Sequence, residues 1–238
     1  MLVIQTVSLS LFRYSSLADR VRAFAMMGLA RRDMRRIEGL NFWKLCGSGT
    51  GEGFTPLPNT GVYAILSVWH DEKIARDQIA HARGYQRFAC RATDQWTILL
   101  RAISTRGTWS GVPPFAAEDA PDQGPVVALT RATLRPAAAL RFWRRVPRIS
   151  AVIGDDTNVV FKIGIGEVPL LHQVTFSIWP DARSMADFAR KDGPHAQAIR
   201  AVREGNWFRE ELYTRFRIAG QIGTWNGENP LKTLEIKA

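Results

Sequence analysis

Tryptophan is the rarest large side chain, and in this chain it recurs on a schedule. Val68-Trp69-His70-Asp71 leads into a helical stretch, then Asp94-Gln95-Trp96, then Arg106-Gly107-Thr108-Trp109. The same order returns as Ile178-Trp179-Pro180-Asp181, a helical stretch, Gly205-Asn206-Trp207, and Ile222-Gly223-Thr224-Trp225. Trp69 and Trp96 lie 27 residues apart, and Trp179 and Trp207 lie 28 apart. Spacing this close, flanked by W-x-D and G-T-W, marks an internal repeat, and a repeat constrains the fold before any single residue does. A chain of 238 residues therefore reads as two fused halves of one design.

The echo extends upstream. Asn41-Phe42-Trp43-Lys44-Leu45-Cys46-Gly47 matches Asn158-Val159-Val160-Phe161-Lys162-Ile163-Gly164, and Leu9 to Arg13 matches Arg131 to Arg135. Each half then runs strand, helix, strand, strand, helix, strand, the order of the ferredoxin-like unit. The expected fold class is α+β, with duplicated ferredoxin-like halves forming a barrel of the dimeric α/β type. The expected boundaries are 1–110 for the first half, 111–124 for a linker, 125–226 for the second half and 227–238 for a tail. Residues 15–36 carry Leu17, Val21, Phe24 and Ala25 at helical spacing, and 61–69 is so apolar that both faces of a strand there should be buried.

The halves differ in length. Arg13 to Trp69 spans 56 residues against 44 from Arg135 to Trp179, largely because of the loop Gly47 to Thr60. That loop, Gly47-Ser48-Gly49-Thr50-Gly51-Glu52-Gly53, fits neither G-x-G-x-x-G nor a G-K-[ST] ending, and it leads into a strand instead of a helix. A substrate-access loop is the better reading than a phosphate cradle.

Composition sets outer limits. At 46% hydrophobic residues with eight Trp, the chain can pack a core, and no run approaches a spanning helix. The N-terminus has no basic segment followed by an apolar run, so a cytoplasmic location is expected, with contact to the inner membrane as a peripheral possibility. Net charge is +10, but the arginines are scattered over helix faces without an RNA- or DNA-binding signature. Nucleic acid is not an expected partner; an anionic membrane surface would suit the charge equally well.

Four histidines, at 70, 81, 172 and 195, show no metal-ligand spacing, and no G-x-S-x-G elbow is present. A haem needs only one axial histidine, so haem is the cofactor this set can still support. His195 follows Gly193-Pro194 and shares a helical face with Ile199 and Val202. The first half has Gly84-Tyr85-Gln86 at the corresponding place, so the halves differ there as they would if one half held a cofactor. His195 is the candidate axial ligand, with Arg200 and Arg203 as candidate partners for propionates. His172 alternates with Val174, Phe176 and Ile178 on a strand and is a distal candidate, as is Lys44. Nothing local marks Cys46 as ionised. Trp43, Phe54, Trp69 and Trp179 are candidate walls for an apolar substrate pocket.

Three long motifs converge on a family. Phe42 to Pro56, Gly164 to Pro169 with His172 to Asp181, and Gly193 to Phe208 with Glu210-Glu211-Leu212-Tyr213 resemble the signature of the spheroidene monooxygenases of carotenoid biosynthesis. The resemblance runs from about Gln5 to Trp225. It implies oxidation of acyclic carotenoids at C2 to a hydroxyl and then a ketone, with dioxygen and electrons from ferredoxin. It also implies b-type haem and a barrel like those of chlorite dismutases and aldoxime dehydratases. A homo-oligomer is expected as well. Two other readings stay open at this point: a haem enzyme acting on a nitrogen-containing substrate, as aldoxime dehydratases do, and a non-catalytic barrel that binds haem or lipid.

Overall fold

The computed structural model describes residues 4–51, 53, 55–120, 123–144, 158–190 and 205–234. The first half consists of β1 (Thr6–Arg13), α1 (Leu17–Leu29), α2 (Arg31–Met34), β2 (Leu40–Gly49), β3 (Pro58–Trp69), α3 (Glu72–His81), α4 (Arg83–Ala89) and β4 (Asp94–Gly107). The second half contributes β5 (Val126–Leu134), α5 (helical over 136–144), β6 (Phe161–Gly166), β7 (His172–Trp179), α6 (Ala182–Arg190) and β8 (Phe208–Gly223). Pro136 stands at the first helical position of α5, where its fixed φ suits the turn and its missing N–H costs nothing. Ser16 caps α1 by accepting from the Asp19 amide, and Asp71 caps α3 by accepting from the Ile74 amide.

The eight strands close into one barrel in the order β1-β3-β2-β6-β7-β5-β8-β4. Every pairing is antiparallel, and each half supplies four adjacent strands in ferredoxin-like order. The α+β duplicated-half barrel expected from the repeat is the fold observed. The two seams between halves are unequal: β4 and β8 pair from Trp96–Gly223 to Gly107–Leu212, whereas β2 meets β6 only at Gly47–Gly166 and Ser48–Ile165.

Alternation sends one set of side chains into the barrel and the other toward the helices. The lumen is filled by Val7, Leu9, Leu11, Trp96, Ile98, Val127, Leu129, Phe176, Phe216 and their neighbours, so it is a core and not a channel. The residues after β4 join it: Phe115 is buried there against Phe216 at 5.1 Å between ring centroids. Leu231, within the expected tail 227–238, is also buried in the lumen cluster, because the chain folds back after Trp225.

Gly61 to Trp69 is buried throughout, as the apolar run implies. α1 is different. It buries Ala23 and Met26, while Leu17, Val21 and Phe24, the residues whose spacing marks it as a helix, face outward at 76%, 62% and 70% exposure.

Candidate functional site

The two halves part company on the outer faces of their sheets, where the helices pack. Trp69 ends β3 opposite Thr6, and Trp179 ends β7 opposite Val126, which sets the halves in register with each other. In the first half, Phe12 lies across from Tyr63, and Ile65 lies between Ser10 and Leu45. All of them except Ser10 belong to the apolar layer beneath α1 to α4, together with Trp69, Tyr85 and Phe88.

At the matching positions of the second half, Ala132 lies across from Gln173, and Thr175 lies between Thr130 and Gly164. Phe12, Tyr63, Ile65 and Leu45 are thus answered by Ala132, Gln173, Thr175 and Gly164. The next row, Ala128 and Ser177, is equally small. Among the described residues the buried apolar cluster here is small, Val126, Trp179 and Phe188 with a few partly buried neighbours, and Leu134, Ala138 and Trp207 are buried apart from it. α6 covers that end through the Trp179–Phe188 contact, 5.2 Å between centroids. What remains beyond α6 is a floor of Ala128, Thr130, Ala132, Gly164, Gln173, Thr175 and Ser177, without a bulky apolar side chain.

Beyond the floor lies a cavity of about 260 Å³. Its walls include Phe24 and Met27 of α1, Leu57 of the glycine-rich loop, Trp143 of α5, and Leu170 and Gln173 at the start of β7. The loop is held against β6 by backbone proximity: a Cβ on Gly164 would stand 2.4 Å from the Gly53 carbonyl oxygen, so only glycine lets the two strands of chain meet. Gln173 Nε2 donates to that same carbonyl at 3.5 Å, and Ser48 Oγ donates to the Gly164 carbonyl at 2.8 Å.

A polar network closes the lumen beside this cavity. Glu167 accepts from Trp109 Nε1 at 2.7 Å and pairs with Lys44 Nζ at 2.9 Å and, at 3.9 Å, with Arg131; His172 Nδ1 stands 3.3 Å away, buried and without a hydrogen bond. Arg131, itself 1% exposed, also binds Glu210, which accepts from the Gly111 amide and the Thr108 hydroxyl. Burial pushes the Glu167 carboxyl up, but donors from Lys44 and Trp109 outweigh it and hold the group below the ordinary range. Glu210 is lowered further, to about 2, by the same balance. Cys46, fully buried nearby, has its thiol pushed up by burial, which makes it a neutral core residue and no thiolate ligand.

Lys44 and His172 come together on the lumen side of the sheet, around a carboxylate that the sequence reading does not single out. The signal for it was present: Ile163, Ile165 and Glu167 continue one alternation inward, and Arg131 follows Val127 and Leu129 in the same way. Trp43, Trp69 and Trp179 do not line the cavity. Trp69 and Trp179 are packed beneath helices, their indole N–H groups donating to Ser8 and Ser177, and Trp43 is a partly buried member of the first-half layer. Alternation gives the reason, since all three fall on the helix-facing side of their strands. His195, Arg200, Arg203 and Phe54 lie outside the described residues. Among the described residues no cluster of three or more His, Cys, Asp or Glu could hold a metal ion.

No protein-family model matches the chain. Curated relatives do. Spheroidene monooxygenase of Rhodobacter capsulatus is 51% identical over 234 residues, covering 96% of this chain and 97% of that protein. The chain belongs to the spheroidene monooxygenase family. Spheroidene monooxygenase of Cereibacter sphaeroides is likewise 51% identical, over 95% of this chain and 71% of its own length, and that of Rubrivivax gelatinosus is 33% identical over 79% of this chain. Among solved structures an aldoxime dehydratase superposes with a TM-score of 0.64 over 97% of this chain and 88% of that one, at 10% identity. That likeness establishes the barrel as the fold of this spheroidene monooxygenase family member and says nothing of its chemistry.

Proposed function

We propose that this protein is a haem-dependent monooxygenase that inserts oxygen at C2 of acyclic carotenoids of the spheroidene type, giving a hydroxyl and then a ketone. Identity to proteins named spheroidene monooxygenase, over nearly the whole chain, supports the substrate class and the reaction. One structural observation carries the cofactor: the exchange of Phe12, Leu45, Tyr63 and Ile65 for Ala132, Gly164, Gln173 and Thr175 at matching positions. A sheet face stripped of large side chains would leave voids under its helices unless something flat and apolar fills them, because protein interiors are close-packed. A b-type haem has that shape.

In this reading His195 holds the iron, and Arg200 and Arg203 meet the propionates. The first half supports the assignment, since Tyr85 of α4, the counterpart of His195 in the repeat, lies over its own sheet with its hydroxyl donating to Ser67 at 2.8 Å. Bound haem, reduced by a ferredoxin-type donor, supplies the activation of dioxygen. The protein's own part is orientation and exclusion of water. Thr130 and Thr175, side by side on β5 and β7, offer hydroxyls toward that face, and the apolar cavity beside it admits the end of a polyene. His172 lines the same cavity with its Nδ1 3.3 Å from Glu167, and Lys44 holds Glu167 there as a positioning residue.

The deciding experiment is the visible spectrum of protein expressed with haem supply, reduced and with carbon monoxide, followed by turnover of an acyclic carotenoid with a ferredoxin and its reductase. A Soret band lost in His195→Ala, and products one oxygen heavier, are expected. An unchanged band in His195→Ala sinks the ligand assignment. Absence of haem sinks the cofactor, and turnover of an aldoxime in place of the carotenoid sinks the reaction.

A further inference from the structure

α1 has two apolar faces, and one of them has no partner. Ala23, Met26 and Ala30 face the first-half layer. Leu17, Val21, Phe24 and Leu29 stand on the other side at 76%, 62%, 70% and 61% exposure, with the small exposed Ala25 and Gly28 between them. The positions 17, 21, 24, 25 and 28 form one stripe at helical spacing. Ala30, which joins α1 to α2, is itself in the right-handed helical region, so the phase carries through. At the next positions along the stripe stand Arg32, Arg35 and Arg36, all exposed, with Arg31 beside them. Among the described residues none of these four is ion-paired: the acid between them, Asp33, is engaged by Arg87 at 2.5 Å and Arg83 at 3.9 Å.

The stripe also leads somewhere. Phe24 is a wall of the 260 Å³ cavity, whose lining also carries the exposed apolar side chains Leu57, Val168 and Leu170. An apolar stripe ending in a basic cluster and adjoining an apolar cavity mouth is the arrangement of a helix that lies in the plane of a bilayer interface.

We propose that α1 is a membrane-docking helix that seats this face on a bilayer containing anionic lipid, with the cavity mouth opening onto the acyl region. Charge complementarity selects this occupant. Anionic headgroups neutralise the arginines, whereas a second copy paired through the same face would bring the same four unpaired arginines with it, against Glu38 as the one exposed acid beside them among the described residues. At 13 residues α1 lies on the interface and does not cross, and no helix among the described residues is long and apolar enough to cross a membrane. The role of the mouth, delivery of a polyene from the bilayer without passage through water, rests on the proposed function; the docking itself does not.

The test is flotation of the full chain with vesicles of phosphatidylcholine alone and of phosphatidylcholine with phosphatidylglycerol. Three proteins are compared: wild type, Leu17→Ser/Val21→Ser/Leu29→Ser, and Arg32→Ser/Arg35→Ser/Arg36→Ser. The wild type should float with the anionic vesicles and be released by salt. Replacing the three exposed apolar side chains should lower partitioning at least about tenfold, and each arginine removed should lower it roughly fivefold on anionic vesicles alone. Unaltered melting temperatures would confirm that these exposed substitutions leave the fold intact. Equal binding to both vesicles, undiminished binding of the serine variant, or a wild-type dimer that this variant abolishes would each overturn the proposal. Turnover separates the two readings. The serine variant should keep the activity on detergent-dispersed carotenoid and lose it on carotenoid held in vesicles. A wild type inactive in both formats would refute the reaction, while flotation would still decide the docking.

Discussion

Trp109 and Trp225 occupy the same turn at opposite ends of one strand ladder. Each follows a Gly-Thr pair at the close of β4 or β8, and each bridges three residues ahead, Trp109 to Val112 and Trp225 to Glu228. Ser110-Gly111 and Asn226-Gly227 take matching positive φ values, 58° and 79° against 59° and 74°. Gly107 and Gly223 let the opposing strand approach so closely that a Cβ would stand 2.1 Å from the Glu211 carbonyl oxygen or 2.3 Å from that of Gln95. Both indoles then turn into the lumen and stop its two ends. The repeated G-T-W of the sequence is a barrel plug used twice.

The two plugs differ in what they hold. Trp109 donates to partly buried Glu167, while the Trp225 ring carries Arg13 at 4.5 Å from its centroid. Trp109→Phe should therefore destabilise the protein by about 1–3 kcal/mol more than Trp225→Phe, the cost of a carboxylate deprived of one donor. Urea unfolding of the two variants gives the difference directly; equal losses would contradict it.

Removing Lys44 alone leaves Glu167 charged and short of its ion-pair partner. Lys44→Met should cost on the order of 3 kcal/mol, and Lys44→Met/Glu167→Leu should recover most of that, because an apolar pair replaces an ionic one. A double-mutant cycle by chemical denaturation checks the sign as well as the size.

Acid sensitivity follows from Glu210. Its pKa is held near 2 in the fold against about 4.5 for the free side chain. A lowered acid contributes stability that is fully present above the free value and is lost as pH falls through the folded one. Stability should thus fall between about pH 4.5 and pH 2 in the wild type. Glu210→Gln should start less stable at neutral pH and show a shallower acid limb in denaturation at stepped pH.

The emptied floor can be filled again. Ala132→Phe/Gln173→Tyr/Thr175→Ile copies the outer face of the first half onto the second. Haem uptake should drop by about tenfold or more while the melting temperature holds or rises, as added apolar burial takes the place of the group. Undiminished haem binding in this variant would move the cofactor elsewhere.

Fold was legible because tryptophan spacing is set by strand and helix lengths, which duplication preserves. Register was less so. The matched segments 41–47 and 158–164 carry their lysines one place apart, and the two face opposite ways: Lys44 points into the lumen with Phe42 and Cys46, whereas Lys162 lies opposite Ser177 on the outer face. One residue of offset along a strand reverses the face of a side chain, and β2 is further interrupted by bulges near Leu40 and Gly47. The α1 stripe shows a second limit: helical spacing reveals an apolar face without saying what covers it. The emptied floor escaped notice for a related reason. Ala132, Gly164 and Thr175 look ordinary until the opposing strands line them up.

The unequal seams set an order of disassembly. A closed sheet that is fastened along eleven ladder positions on one side and two on the other has a preferred line of parting, and it runs between β2 and β6 beside the glycine-rich loop. Amides at Ser48 and Ile165 should exchange with solvent long before those in the middle of β4, so fraying in this molecule begins next to the cavity and leaves the tryptophan-stoppered ladder for last.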